Sequence, residues 1–455
     1  MTHWPAAPAP VVRLDLLPPQ PAPPRIKVLH VITRFWAGAG GNTLLTATGM
    51  DPRRYEVWVA GVPGGDLWAQ ARAAGVRTVE IQGFREVLAP ADLLVLIRLI
   101  RLIRRERFAV VHTHSAKGGF LGRLAARLCR TPVVVHTFHG ISFHDRMPRR
   151  RRAAYRRLEQ FPRGFTDAFL AVAPQLAREV VEQRLASPGT VQVVPSAVDL
   201  RGIPDDFDSA ARRDLGVPPG VPLVGTVGRI DRQKAPLDFV RMAAAVRVDH
   251  PDVAFVMVGG GPLEQDVRRS AAQLGVDLRL TGYRPDAARL VAGLDIFVIS
   301  SLYEGLGRAL TEALAAARPV VATCVNGVPD LVEPGATGLL VEPSDPAALA
   351  RAVGWLLDHP VEAAAMGHQG RTRVRTAFAP ADMCSAVDAC YRRLLGLGEP
   401  ERPHRPSVPG RADPLRTATV TALKRETKEA PPWRSSLSST SPAEHRPSTS
   451  RSPMR

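Results

Sequence analysis

Residues Val221 to Lys234 read VPLVGTVGRIDRQK, and Pro236 follows two positions later. A β-branched apolar run ending at Gly228, a charged loop, and a proline suited to a first helical turn spell strand, loop and helix in that order. Such a loop lies at the carboxyl edge of a sheet, where open α/β sheets take their ligands, and a helix start offers free amides and a positive dipole end. Arg229 and Lys234 add two cations. Phosphate suits this chemistry; the competing reading is a solvated loop in an Arg-rich chain.

Working outward, short apolar runs alternate with helical patterns. Ile26 to Ile32, Val57 to Ala60, Val110 to Thr113 and Val133 to His136 read as buried strands before this stretch. Leu223 to Val227, Ala254 to Val258, Asp277 to Thr281, Ile296 to Ile299 and Val320 to Ala322 repeat the theme. Alternation of this kind predicts an α/β chain with two doubly wound parallel sheets. Leu93 to Arg105 has helical period, with Leu93, Ile97 and Ile100 on one side and Arg98, Arg101 and Arg105 on another, and reads as a crossover helix or a membrane-surface helix. Ser196 to Pro222, with four prolines, reads as a linker carrying a short helix.

The expected organisation is a disordered Pro-rich leader at 1–24, a first Rossmann-like domain at 25–197, a second at 198–381, a helix at 382–395 packing across the junction, and a disordered basic tail at 396–455. The whole chain of 455 residues is long enough for two such domains. It carries 60 basic and 43 acidic residues, a net charge of +17 that invites a nucleic-acid reading. Only five of those basic residues are lysine, the mark of a bias that spreads arginine everywhere, and aromatic-rich RNA motifs are missing, so no nucleic-acid partner is expected. No run approaches the ~18 apolar residues of a membrane span, and the start lacks the order of a signal peptide, so a cytoplasmic location is expected. Cys129, Cys324, Cys384 and Cys390 form no Cys-x-x-Cys pair and suggest neither disulfides nor structural zinc.

A second constellation, Leu302 to Val321, reads LYEGLGRALTEALAAARPVV. Glu304 stands at a strand end, Gly305 and Gly307 leave backbone room, and Glu312 follows eight residues after Glu304. Eight helical residues span about 12 Å, near the reach from a sugar across a diphosphate to a ribose. Glu312 is then a bidentate acceptor for ribose hydroxyls and Glu304 lies near the transferring sugar, against the bland reading of a cap and a solvated helix face.

GRIDRQK and EGLGRALTE, separated by VMVGGGP, resemble the donor domain of family 4 of the retaining glycosyltransferases, with the GT-B fold of two Rossmann-like domains facing across a cleft. The resemblance implies that Arg229 and Lys234, beside Gly228, bind the nucleotide diphosphate, that Glu312 holds the ribose and Glu304 the donor sugar, and that the backbone around Leu306 and Gly307 reaches the phosphates. GAGGNTLL places Gly40 and Gly41 at a strand-to-helix turn, similar to the family's glycine pair near the reaction centre. VVHTHSAKGGFLGRLAAR and VVVHTFHGISFH resemble the branch that builds bacterial surface polysaccharides, and His139 before Gly140 matches the family's active-site histidine. His112, His114, His136 and His144 are then strand-end and cleft residues. No H-E-x-x-H or completing carboxylate accompanies them, so no metal site is expected and no cofactor is required. The D-x-D at Asp206 to Asp208 lies in the linker and is set aside. Arg308 and the pair Ser196-Ala197 depart from the commoner family pattern.

The implied function is transfer of a sugar from a nucleotide diphosphate, UDP foremost, to a hydroxyl of a saccharide or lipid-linked saccharide, with retention at the anomeric carbon. His139 and Glu304 are the expected catalytic residues. The run Arg146 to Leu158, RMPRRRRAAYRRL, admits a peripheral contact of the first domain with an anionic membrane at its inner face, beside the reading of a solvated Arg-rich surface. Two rival classes stay open: a sugar-nucleotide epimerase of the same fold, and a non-catalytic nucleotide or RNA binder.

Overall fold

The computed structural model describes residues 24–84, 90–143, 147–205 and 207–398. The leader and tail expectations fall almost wholly outside these, as do His144, Arg146 and Asp206.

Two all-parallel sheets form the frame. The first joins β1 (Ile26–Arg34), β2 (Tyr55–Val62), β3 (Arg77–Glu80), β4 (Val110–His114), β5 (Val133–Phe138), β6 (Ala168–Ala171) and β7 (Val191–Val193) in the order 3-2-1-4-5-6-7. The second joins β8 (Leu223–Val227), β9 (Ala254–Val258), β10 (Leu278–Leu280), β11 (Ile296–Ile299), β12 (Val320–Thr323) and β13 (Leu339–Val341) in the order 10-9-8-11-12-13. In each sheet the order reverses beside the first strand, so crevices open at the carboxyl ends of β1 and β4 and of β8 and β11. Strands buried on both faces need apolar residues at nearly every position, which is why VLHVI, VVAT and IFVI lack alternation.

The helix Asp92–Glu106 buries Val95, Leu99, Leu102 and Ile103, the i, i+4, i+7, i+8 stripe, against the first sheet. This corrects the expected stripe: Leu93 is 63% exposed, and Ile97 and Ile100 lie at the margin. The segment after residue 196 carries the helix Ser209–Asp214, and Asp208 caps it by accepting from the amides of Ala210 (2.8 Å) and Ala211 (3.0 Å). That gives one carboxylate of the D-x-D a structural task.

The two lobes share apolar packing. Phe138, Phe169 and Leu176 of the first belong to one continuous buried cluster with Leu306, Leu310 and Val328 of the second. The last helix, Pro380–Leu394, returns to the first lobe and buries Met383, Cys384, Val387, Cys390 and Tyr391 against the helix Ala37–Gly49 and the sheet beneath it. Its Tyr391 hydroxyl lies 2.6 Å from His112 Nδ1, and Asp388 accepts from Tyr55 at 2.7 Å. Beneath the helix Ala116–Leu128, Arg123 and Glu159 form a fully buried pair at 3.4 Å, with Ser142 donating to Glu159 at 3.1 Å.

Candidate active site

The expected donor residues other than Glu312 sit where strands β8 and β11 of the second sheet run out. After β8 the chain makes a tight turn at Arg232–Lys234, held by the Asp231 side chain accepting from the Lys234 amide, before the helix Pro236–Asp249 begins. Gly228, Arg229 and Lys234 line one open crevice together with Thr226, Ser300 and Ser301. The ends of β8 and β11 therefore build a single crevice with two cations in its wall.

The cations are not free in this state. Arg229 pairs with Asp231 at 3.0 Å and donates to Gln233 at 2.9 Å. The Lys234 ammonium pairs with Glu304, whose same oxygen accepts from Ser301 Oγ at 2.6 Å. The Glu304 side chain is nearly buried, so an unpaired charge there is costly and the lysine holds it in place. Asn326 adds the other constraint: its Oδ1 accepts from the Glu304 amide at 3.0 Å, while its Nδ2 donates to Glu179 of the first lobe at 3.1 Å.

The segment 304–307 is a loop, and the helix Arg308–Ala315 begins only after Gly307, whose φ of 91° is one that L side chains avoid. Leu306 turns its side chain into the core. Glu312 is buried on this helix, and Arg308 Nε donates to one of its oxygens at 2.8 Å. One of the two acceptors read from the sequence is thus already engaged. The Arg308 guanidinium also lies directly over Gly41, where an added Cβ would overlap it. Gly40 and Gly41 stand inside the first turns of the helix Ala37–Gly49, one turn further on than the strand-to-helix turn expected for them.

From the first lobe, the loop after β5 brings His139 across the gap. A Cβ on Gly305 would fall 1.9 Å from the His139 carbonyl oxygen, so this glycine is what lets the two backbones approach. Behind His139 the ring nitrogens of His114 and His30 follow in line. His112 is held at both nitrogens, by Tyr391 and by Thr137 Oγ1 at 2.7 Å, and His136 meets Thr113 Oγ1 at 2.9 Å on the opposite face of the sheet. Burial pushes His30 down to about 3 and His139 to about 4, and holds His112, His114 and His136 well below the usual imidazole range. All five are neutral at pH 7. Ligand nitrogens of His30, His112 and His114 fall within 4.8 Å of one another, yet both His112 nitrogens are engaged, leaving fewer free donors than a zinc site takes.

The sequence reading missed His30, Ser301 and Asn326. The Asn-Gly pair at 326–327 is the signal that could have marked a turn there, where Asn326 has a φ of 42°, but nothing local marks its reach to both lobes.

Comparison with known proteins follows the same division. A model described as Glycosyltransferase Family 4 matches residues 36–201, and one described as Glycosyl transferases group 1 matches residues 221–359. The UDP-Gal:alpha-D-GlcNAc-diphosphoundecaprenol alpha-1,3-galactosyltransferase of Escherichia coli is 32% identical over 268 residues, 57% of this chain and 69% of that protein. The D-inositol 3-phosphate glycosyltransferase of Corynebacterium glutamicum (strain R) is 30% identical over 317 residues, 65% of this chain and 75% of that protein. Among solved structures, Anabaena HepE in complex with UDP and glucose superposes with a TM-score of 0.71 at 17% identity, covering 81% of this chain and 100% of that one. Sucrose-phosphate synthase from Thermosynechococcus elongatus gives a TM-score of 0.71 at 20% identity, covering 82% and 100%. Two facing parallel sheets, one family description on each lobe and a relative matched over most of its length agree: the chain belongs to glycosyltransferase family 4 and is a transferase of the GT-B fold.

Proposed function

We propose that this glycosyltransferase moves a sugar from a UDP-sugar to a hydroxyl of a saccharide acceptor carried on a lipid, with retention at the anomeric carbon, in the synthesis of a cell-surface polysaccharide or glycolipid. The observation that carries this is the crevice at the ends of β8 and β11, where Lys234 and Arg229 share a wall and Lys234 holds Glu304. Cleaving the bond to a diphosphate leaves negative charge on the departing oxygen, and fixed cations at a helix start stabilise it without reorganising. Lys234 and Arg229 take that role, assisted by the amides that open the helix Pro236–Asp249. Glu304 accepts from the donor sugar's hydroxyls and Glu312 from the ribose, through the oxygen that Arg308 leaves open. Leu306 and Gly307 offer backbone amides to the phosphates. No metal is required where two cations already face the leaving group. Retention fits a scheme in which the departing phosphate oxygen takes the acceptor proton on the face from which the bond broke. The anomeric coupling constant of the product reads it directly.

The E. coli relative's name specifies a UDP-Gal donor and a GlcNAc-diphosphoundecaprenol acceptor, and that chemistry supports UDP and a lipid-linked saccharide here. The test is thermal shift with UDP, GDP and ADP, each with and without EDTA. UDP at ~100 times its Kd should stabilise by about 2.7 kcal/mol and raise the Tm by several degrees with EDTA present, the others much less. A larger response to GDP or ADP reassigns the base, dependence on the metal removes the metal-free scheme, and no response to any of the three removes the diphosphate site.

A membrane contact through the first lobe is part of the proposal. Among the described residues no helix is long and apolar enough to cross a membrane. The helix Arg149–Gln160 instead exposes Arg149, Arg150, Arg151, Arg156 and Arg157, and Phe161 follows, 59% exposed. At ~1 kcal/mol per arginine near an anionic surface, the protein should float with vesicles containing anionic lipid and lose that binding when these five become glutamine. Flotation indifferent to anionic lipid would remove the contact.

A further inference from the structure

A line of imidazoles runs from the cleft into the first lobe. His30 stands opposite His112 in the β1–β4 register, and alternate residues of a strand share a face, so His30, His112 and His114 lie on one side of the sheet. His139 closes the line from its loop. His139 Nε2 is 3.0 Å from His114 Nδ1, and His114 Nε2 is 2.9 Å from His30 Nδ1. The last nitrogen, His30 Nε2, is buried without a partner among the described residues.

A neutral imidazole has one proton for two nitrogens, so this line has only two polarities. Run inward, His139 donates from Nε2 and His114 from Nε2, and His30 must then bear its hydrogen on Nε2, where nothing accepts it. Run outward, His30 donates from Nδ1 and His114 from Nδ1, His139 accepts at Nε2, and the unpartnered His30 Nε2 is only a bare acceptor. Buried N–H groups are almost never orphaned, whereas under-satisfied acceptors are better tolerated. The outward polarity is the one the burial pattern favours.

We infer that His30 and His114 are positioning residues that lock His139 as its Nδ1–H tautomer, so that His139 meets the sugar or acceptor as a hydrogen-bond donor and does not serve as a base. The inference rests on the reading of His139 as the cleft histidine, and its primary test does not need turnover. Protein labelled with ¹⁵N-histidine, with His139 assigned from the His139→Gln variant, should show the His139 proton on Nδ1 at pH 7.5. In His30→Leu the polarity loses its origin, and the His139 proton should redistribute toward Nε2. His30→Gln, whose amide can still donate to His114, should keep the original tautomer. Turnover should follow the tautomer, falling on the order of tenfold or more in His30→Leu, with the KM for donor unchanged and recovery in His30→Gln, as for other imidazoles whose tautomer a neighbour sets. Position 30 does not touch His139, so these two variants separate an effect on the tautomer from loss of a direct contact; a melting curve on each confirms folding. A wild-type His139 protonated on Nε2, a tautomer unmoved in His30→Leu, or stoichiometric zinc held by His30, His112 and His114 would overturn the inference. Failure of the UDP response with the tautomer as described would remove the donor reading and leave the positioning intact.

Discussion

Replacing Lys234 with alanine is expected to lower turnover roughly 10³-fold, about 4 kcal/mol of lost transition-state stabilisation. The size follows from position: the ammonium lies in the wall of the β8–β11 crevice, in a tight turn fixed by Asp231. The change also reaches the fold. Among the described residues Glu304 would keep only the Ser301 hydroxyl as its side-chain partner at a nearly buried position, so K234A should also melt earlier. Adding E304Q removes the stranded charge. The double variant should recover the melting temperature of the wild type, which assigns the lost stability to the stranded charge and leaves the rate of K234A alone to report on the lysine. A K234A enzyme within tenfold of the wild-type kcat would refute the assignment.

The second large effect is on stability against acid. An unfolded histidine titrates near 6.5, while His30 in the folded protein takes a proton only at about 3 because burial opposes the charge. Below pH 6.5 the unfolded chain binds protons that the folded chain refuses, so stability falls as pH falls. At pH 5 His30 alone accounts for about 2 kcal/mol, and His112, His114, His136 and His139 act in the same direction. Against a total stability of roughly 5–15 kcal/mol this is a large share. Glu159 and Asp330 oppose it, since burial raises both. Asp286, held down to about 2 by Arg284 and Arg289, loses its contribution only below pH 4. The window from 6.5 to 5 is where the five histidines act together. Urea midpoints should drop steeply across it, and a midpoint flat over that range would show that the imidazoles are not held neutral.

Much of the site was legible because parallel sheets force ligands to strand ends, and the charged motifs follow strands that the apolar runs already revealed. Gly228, Arg229, Lys234 and Glu304 come together for that reason. Their mutual pairing was not legible, because a separation of 70 positions between Lys234 and Glu304 carries no trace of which oxygen meets which nitrogen. The helix at Asp92–Glu106 was recognisable by period, but a sequence so rich in leucine and isoleucine offers several apolar stripes, and only packing against the sheet and the neighbouring helix selects Val95 and Leu99. The strands β3, β6, β7 and β13 escaped although β10, β11 and β12, which are no longer, were read: RTVE, AFLA, VQV and LLV carry weaker or more broken β-branched runs than IFVI and VVAT. His30 sat unremarked in an apolar strand, since its significance depends on the strand beside it.

The return of the helix Pro380–Leu394 to the first lobe governs when that lobe can be finished. Ribosomes deliver β1 to β7 early, yet the layer over His112 and the helix Ala37–Gly49 stays uncovered until Tyr391 and Met383 emerge some two hundred residues later. The half made first is thus the half completed last, and it must keep an apolar flank shielded throughout synthesis of the other.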